Sequence, residues 1–460
     1  MSSHKLNVSW RKHIINNKLR KFIEFSVNVI VDKLIIWPFY YSTFFFMRKV
    51  CSNNDVKQNG IALLALNSGR FRGDLEALAD LGFIVYMMPY SWQTRIFYAY
   101  KDRGCSKDEF LNPKVGSKIY NDRIRVRRYL SKLLGLLIQK RKINCVISAG
   151  IFYNQDFDWG AVAKNIGTPY VVFHRENLLI SRHLYAHHIE RAELLKKIGF
   201  VGTSIVFQNK AMKGIFDKYS GVKPEYIFAL GSLRMDKYIN KINKNINKIN
   251  KNINKINKNI NFEGGNRVTL FSFPSSDAIL SGYSDDFGWF DLHDQVHESF
   301  VELARENPGI NFIIKHKDVN WSRTEKLLKD LEVDNISNLQ IYNLSFDAQE
   351  IILASNVIVG FCSTSLLEAA IANKPIIYPL FAEAAEKSYE NFVCFDNASD
   401  IFDIATNREE FKKIIIERYN NPSISAEMKE RRASLFENQV SSMSADSAIR
   451  YSEYLKRICN

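Results

Sequence analysis

Ile351 to Pro379 reads IILASNVIVGFCSTSLLEAAIANKPIIYP. Val357-Ile358-Val359 is β-branched and short, as a buried parallel strand should be. Gly360 ends it, and Ser363, Thr364 or Ser365 can cap the helix that follows. Leu366, Leu367, Ala370 and Ile371 share one helical face. Asn373 closes the helix, Pro375 forbids its continuation, and Ile376-Ile377-Tyr378 begins a second strand. A helix start at the carboxyl end of a parallel strand offers free N–H groups and a positive dipole end, which suit a phosphate. Glu368, one turn further in, is placed to accept from ribose hydroxyls. On spacing alone, a plain capped crossover fits the same residues.

The layout Ser363-Thr364-Ser365-Leu366-Leu367-Glu368-Ala369 resembles the S-x-S-x-x-E-A donor-binding element of GT-B-fold glycosyltransferases. The resemblance is to the surface-carbohydrate branch, with its capsule sugar transferases and CDP-glycerol glycerophosphotransferase-like proteins. It implies donor phosphate binding by Ser363, Thr364 and Ser365, and ribose binding by Glu368. It also implies an α/β fold of the GT-B kind, two Rossmann-like doubly wound domains facing a cleft. The acceptor would lie on the first domain and a UDP-, CMP- or CDP-linked donor on the second, with no permanently bound cofactor.

At 460 residues the chain exceeds one ordinary core, so two domains are expected. The six cysteines are scattered without a C-x-x-C pair, which argues for a reducing compartment and against a thiolate metal site. The basic, polar N-terminus carries no signal-peptide pattern, so a cytoplasmic location is expected. The net charge is +14, six units of which belong to lysines of one repeat. A basic surface favours anionic partners such as nucleotides, acidic glycans or an anionic membrane face. Nucleic acid is not expected, because no zinc-finger spacing, RNP signature or helix-turn-helix is present.

Phe22 to Met47 is apolar but interrupted by Glu24, Asp32 and Lys33. Its clean run, Leu34 to Met47, is too short for a span of about twenty residues. The aromatic residues Trp37, Tyr40 and Tyr41, with flanking Lys33, Arg48 and Lys49, fit either a helical segment lying peripherally on a membrane or a helix packed on the first domain.

The expected organisation is an N-terminal basic and apolar segment (1–54), an acceptor-side domain (55–236), a repeat linker (237–264), a donor domain (265–425) and a helical tail (426–460). Strands are expected at Ile61–Leu66, Phe83–Met87, Cys145–Ser148, Tyr170–Phe173, Val201–Phe207 and Tyr226–Leu230. In the second domain they are expected at Val268–Phe273, Asn311–Lys315 and Leu339–Tyr342, with a largely helical, polar stretch from Ala382 onward. In the INKINKN repeat, Ile239, Ile242, Ile246, Ile249, Ile253, Ile256 and Ile260 are spaced three and four apart, the rhythm of a coiled coil. Its asparagines and mutually repelling lysines argue instead for an expanded repeat in a tolerant loop, the preferred reading.

Lys315 and His316 end a strand on the rim expected for Ser363. They resemble the basic K-x-H motif of capsule transferases, although Asp318 and Val319 stand where a proline is usual. Gly231-Ser232-Leu233-Arg234-Met235-Asp236 resembles the junction motif G-x-x-R-x-D. Arg234 there would pair with Asp236 or face the donor. A transferase needs a base for the acceptor hydroxyl. Glu176, Asp74 and His174 are the candidates, with helix capping the alternative for Asp74 and pairing with Arg175 or Arg182 the alternative for Glu176. His183 and His187 lie four apart but lack the glutamate of H-E-x-x-H, and Asp285-Asp286 sits in a polar loop, so no metal site is expected.

The expected activity is transfer of a sugar from a nucleotide-activated donor to a surface polysaccharide or lipid-linked glycan. The alternatives are a CDP-polyol-dependent polyol-phosphate transferase, a nucleotide-sugar epimerase and a non-catalytic glycan-binding scaffold.

Overall fold

The computed structural model describes residues 47–52, 57–66, 68–71, 73–90, 93–94, 97, 105–253, 267–276, 287–316 and 322–459. The apolar segment 22–46, the repeat beyond Ile253, Asp285-Asp286 and Lys317-Asp318-Val319 lie outside them. Among the described residues no helix is long and apolar enough to cross a membrane.

The chain forms two compact units. Unit 1 comprises 1–177, 189–234 and 446–460, and unit 2 comprises 178–188 and 235–445.

In unit 1 the elements run β1 (Arg48–Lys49), β2 (Ala62–Ala65), α1 (Asp74–Asp80), β3 (Ile84–Met87), α2 (Lys107–Leu111), α3 (Lys118–Arg141), β4 (Ile143–Ser148), α4 (Asn154–Asn165) and β5 (Tyr170–Phe173). Helix α5 (Arg182–Ile198) begins in unit 2 and ends in unit 1. After it come β6 (Ser204–Phe207), α6 (Lys210–Tyr219) and β7 (Ile227–Ala229). The sheet order is β1-β3-β2-β4-β5-β6-β7, parallel except for β1, which pairs antiparallel with β3. Arg48 and Lys49, read from sequence as flanks of the apolar run, thus form an edge strand.

The strands are short apolar runs buried on both faces, as covered parallel sheets require. Helix α3 buries Val126, Tyr129, Leu130, Leu133, Leu134 and Leu137, a three-and-four spacing that keeps one stripe on the core. Ser117 caps its start by accepting from the Tyr120 N–H, and Lys142 closes it in the left-handed conformation.

Helix α7 (Leu233–Ile253) leads into unit 2. The repeat is therefore helical as far as Ile253, not a loop. Met235, Tyr238, Ile239 and Ile242 are buried in the unit 2 core. Four buried side chains at roughly 1.5–3 kcal/mol each outweigh asparagines that cost at most about 0.7 kcal/mol each in a helix. Lys241 also finds an acid, pairing with Glu350.

Unit 2 continues β8 (Arg267–Phe271), α8 (Phe290–Glu306), β9 (Asn311–Lys315), α9 (Ser322–Asp330), β10 (Leu339–Tyr342), α10 (Ala348–Ala354), β11 (Val357–Gly360), α11 (Ser365–Ile371), β12 (Ile376–Pro379), β13 (Asp403–Ala405), α12 (Arg408–Asn420) and α13 (Ala426–Gln439). Its parallel sheet has the order β10-β9-β8-β11-β12-β13. The stretch after Ala382 is not simply helical, since short 3-10 turns lead into the strand β13. Helix α14 (Ser447–Cys459) belongs to unit 1, where Tyr451 stacks edge-on against Phe173 at 5.0 Å.

Both sheets are doubly wound. In unit 1 the strand order reverses between β2 and β4, and in unit 2 between β8 and β11. At such a switch point the adjacent loops leave for opposite faces and open a crevice beyond the carboxyl ends of the strands, where ligands of this fold class bind.

Candidate functional site

In unit 2 the switch point, where a crevice of this fold class opens, falls between the turn after β11 and the residues after β8. Gly360, the last residue of β11, pairs with Phe271, the last of β8. A Cβ on Gly360 would sit 3.0 Å from Leu366 Cδ2, so the strand end has little room for a side chain. Cys362 then takes a left-handed conformation, φ 45°. Its sulfur accepts from the Cys394 N–H at 3.2 Å, which fixes the turn.

Ser363, Thr364 and Ser365 follow, all half-buried. Thr364 occupies the cap position of α11 without a side-chain cap bond, and Ser363 Oγ accepts from the Ser365 N–H at 3.3 Å. Serving as an acceptor leaves the Ser363 hydroxyl its own proton to donate. Glu368 is buried in the first turn of α11, and its carbonyl accepts from the Tyr238 hydroxyl at 3.0 Å. Asn373 ends the helix region with φ 55°, and the N–H groups of Asn373 and Lys374 bond back to Ala370 and Ala369.

Lys315 ends β9, next to β8. It is buried and donates to the Asn343 carbonyl at 2.6 Å and the His316 carbonyl at 3.2 Å. The ammonium is thus held at the carboxyl rim by neutral dipoles. The His316 N–H is fixed on the Tyr342 carbonyl at 2.9 Å.

A hydrogen-bonded chain behind this rim is absent from the sequence reading. Ser272, the residue after β8, bonds His297 Nε2 at 2.9 Å, and His297 Nδ1 lies 2.6 Å from the His293 carbonyl. His293 meets Thr324 Oγ1 at 2.9 Å and Asp294 at 2.7 Å, and Arg323 donates to Asp294. Burial, reinforced by the neighbouring His293, pushes the His297 imidazole down to about 3. The only sequence signal was a pair of histidines four apart on a helix face.

In unit 1 the candidates gather at the carboxyl ends of β2, β4 and β5. Asp74 opens α1 behind Gly73, which supplies the left-handed cap position at φ 94°. Asp74 therefore does not cap the helix. It forms a buried ion pair with Arg175, joining the loop after β2 to the loop after β5. Glu176 is exposed and pairs with neither Arg175 nor Arg182. Its carboxylate accepts from Arg191 at 2.8 Å and from the Tyr153 hydroxyl at 3.1 Å. Partial burial pushes this carboxyl up, but Arg191, His174 and Tyr153 outweigh it and hold the group below the usual range. The Tyr153 hydroxyl is pushed up to about 12 by burial and by Glu176. Arg70 lies over the Tyr153 ring, 5.6 Å from its centroid.

His174 is buried edge-on to Phe207, with ring centroids 5.4 Å apart, and burial lowers it to about 4. Neither ring nitrogen has a hydrogen-bond partner among the described residues. Nearby, Asp156 is buried in the first turn of α4, taking bonds from Ser148 Oγ at 2.8 Å and from Gln93. Burial raises its carboxyl to about 7, against the opposing pull of those two donors. Sequence reasoning missed it, because nothing local marks an aspartate that a glutamine 63 residues away will cover.

Arg234 ends the 189–234 stretch of unit 1 and Asp236 lies two further along in unit 2, both in the first turn of α7. Arg234 is half-buried and Asp236 buried. His183 stacks on Phe392 at 4.9 Å in unit 2. Among the described residues no group of histidine, cysteine and carboxylate side chains is arranged to hold a metal ion.

No protein-family model matches the chain, and no curated protein matches it. Solved structures similar to it include a UDP-GlcNAc 2-epimerase from Neisseria meningitidis bound to UDP-GlcNAc, at 13% identity over 86% of this chain and 100% of that one, TM-score 0.46. A glycosyltransferase from Rickettsia africae matches at 13% identity over 87% and 99%, TM-score 0.45. The wall teichoic acid polymerase TagF matches at 11% identity over 97% and 98%, TM-score 0.45.

Proposed function

We propose that this chain is a glycosyltransferase of the GT-B kind, moving a sugar from a nucleotide-activated donor to a surface polysaccharide or lipid-linked acceptor. The reading rests on one observation above all: the Ser363-Thr364-Ser365 turn stands at the switch point of unit 2. Its hydroxyls suit the phosphates of a UDP-, CMP- or CDP-linked donor, and Lys315, whose ammonium donates to the Asn343 carbonyl on the β10 side of β9, adds positive charge from beyond Ser272. Positive charge there would stabilise the leaving phosphate as the glycosidic bond breaks. Glu368, buried one turn into α11, is the proposed ribose-binding group.

In unit 1, Glu176 is the candidate base with the best access to an acceptor hydroxyl, since it is exposed while Asp74 and His174 are buried. Asp74 is taken by Arg175 and serves to brace two loops. We place the reaction in the cytoplasm, at the inner face of the membrane, where a net charge of +14 favours an anionic surface.

A nucleotide panel tests the reading. UDP, CDP or CMP should raise the melting temperature of the full chain, and Ser365→Ala and Glu368→Ala should reduce that rise. Absence of stabilisation by every nucleotide, or a rise unaffected by both variants, overturns it.

A further inference from the structure

The hydrogen bonds behind the unit 2 crevice have a fixed direction. A carbonyl can only accept, so the 2.6 Å contact between His297 Nδ1 and the His293 carbonyl places a proton on Nδ1. His297 is wholly buried, and desolvation keeps its ring neutral. A neutral imidazole protonated at Nδ1 has a bare Nε2. Ser272 lies 2.9 Å from that nitrogen, so its O–H must donate to it. The Ser272 proton is therefore committed to the protein, and the hydroxyl has only lone pairs left to offer. Its backbone is fixed as well, with the N–H donating to the Lys315 carbonyl at 2.9 Å.

Ser272 is half-buried at the carboxyl end of β8, on one lip of the switch-point crevice. The other lip carries the opposite polarity, because Ser363 Oγ accepts from the Ser365 N–H and keeps its own proton for a ligand. One lip accepts and the other donates. A ligand that satisfies both has an anionic oxygen at one end and a neutral O–H or N–H at the other.

We propose that Ser272 is a specificity-determining residue of this subsite, accepting a hydrogen bond from a neutral O–H or N–H of the bound nucleotide and turning anionic oxygens away. An anionic oxygen placed there would meet lone pairs with lone pairs, leaving both groups unsatisfied. The proposal rests on the reading of unit 2 as the nucleotide-binding half. His297 acts through Ser272 as a positioning residue, and its own proton is held on the side away from the crevice. The neutral donor can come from the ribose or from the base.

Calorimetric titration of the full chain with UDP, CDP and CMP tests this. Ser272→Ala should weaken the best nucleotide about tenfold or more, and Ser272→Thr, which keeps the hydroxyl, should retain most of the affinity. The loss should vanish against the analogue that lacks the donating group. The 2′-deoxy and 3′-deoxy nucleotides report a ribose hydroxyl, and a base-N-methylated nucleotide reports the base. Nitrogen-15 NMR of the unaltered protein should show His297 Nε2 unprotonated, with or without nucleotide. An affinity unchanged within about twofold in Ser272→Ala, an equal loss against every analogue, or a protonated Nε2 overturns the proposal and leaves the nucleotide-binding reading standing. Failure of the unaltered protein to bind any nucleotide overturns both.

Discussion

Arg191 donates to Glu176 at 2.8 Å and so ties helix α5 to the loop after β5. A carboxylate held in this way stays ionised to lower pH than a free one, and its exposed position keeps it in reach of solvent. The cost is basicity, because each donor that steadies the anion also makes it a weaker proton acceptor.

Arg191→Gln should therefore raise the Glu176 midpoint towards that of an ordinary glutamate. Carbon-13 NMR titration of the side-chain carboxyl measures it, and if Glu176 is the base of the proposed transfer, the acid limb of that rate should move to higher pH with it. The sign for stability follows from the lowered carboxyl. Its contribution is present above the ordinary glutamate range and is lost as pH falls through the lowered midpoint. Because Glu176 is nearly half exposed, that contribution is small.

Asp156 runs the other way. Its carboxyl is raised to about 7 in the folded chain, so its favourable contribution is present below the unfolded value and fades as pH rises through that midpoint. Asp156→Asn keeps the size of the side chain and cannot ionise. The variant should gain stability over the parent between about pH 4 and 7, at up to about 1.4 kcal/mol per pH unit, with the gain flat above that window. Urea melts at pH 4, 5.5 and 8 would show it, and a pH-independent difference would refute it.

Arg432 is fully buried, with no carboxylate in contact among the described residues. It gives two bonds to the Ile401 carbonyl, at 3.0 and 2.7 Å, and one to the Lys374 carbonyl at 2.8 Å. Arg432→Met fills the space but strands both carbonyls. A loss of about 2–4 kcal/mol is expected, read from the urea midpoint, with nucleotide affinity of the folded protein unchanged.

Asn373 stands at φ 55°, where a β-branched side chain is strained. Asn373→Gly should be neutral or slightly stabilising, while Asn373→Val should cost about 1–2 kcal/mol. Thermal melts of the two variants side by side would check the ordering.

Most strands of the two sheets were legible because buried parallel strands are written as short apolar runs rich in β-branched residues, such as Tyr170–Phe173 and Asn311–Lys315. Asn373 as the helix stop was legible for an equally local reason. Strand β13 was not, since Asp403–Ala405 is three residues long and gains its place from pairing with β12. The helical start of the repeat was hidden because asparagine's weak preference is local and the burial of Ile239 and Ile242 is not. The partners of the candidate residues were the least legible. Arg191 reaches Glu176 from 15 residues away and Ser272 reaches His297 across 25. Which side chain meets which is decided by the rotation of a helix about its axis, and sequence spacing specifies that only within a helix.

The division of the chain into units has a consequence for synthesis. Unit 1 draws on 446–460 and unit 2 on 178–188, so neither is one continuous stretch. On the ribosome, Phe173 and Ser204 are made long before Tyr451 and Tyr454, the residues of α14 that meet them. The first-made sheet must wait with that face uncovered while the whole of unit 2 emerges. Cutting the gene between 234 and 235 leaves unit 1 without 446–460 and unit 2 without 178–188, so expressing either half as a simple fragment should yield aggregated protein.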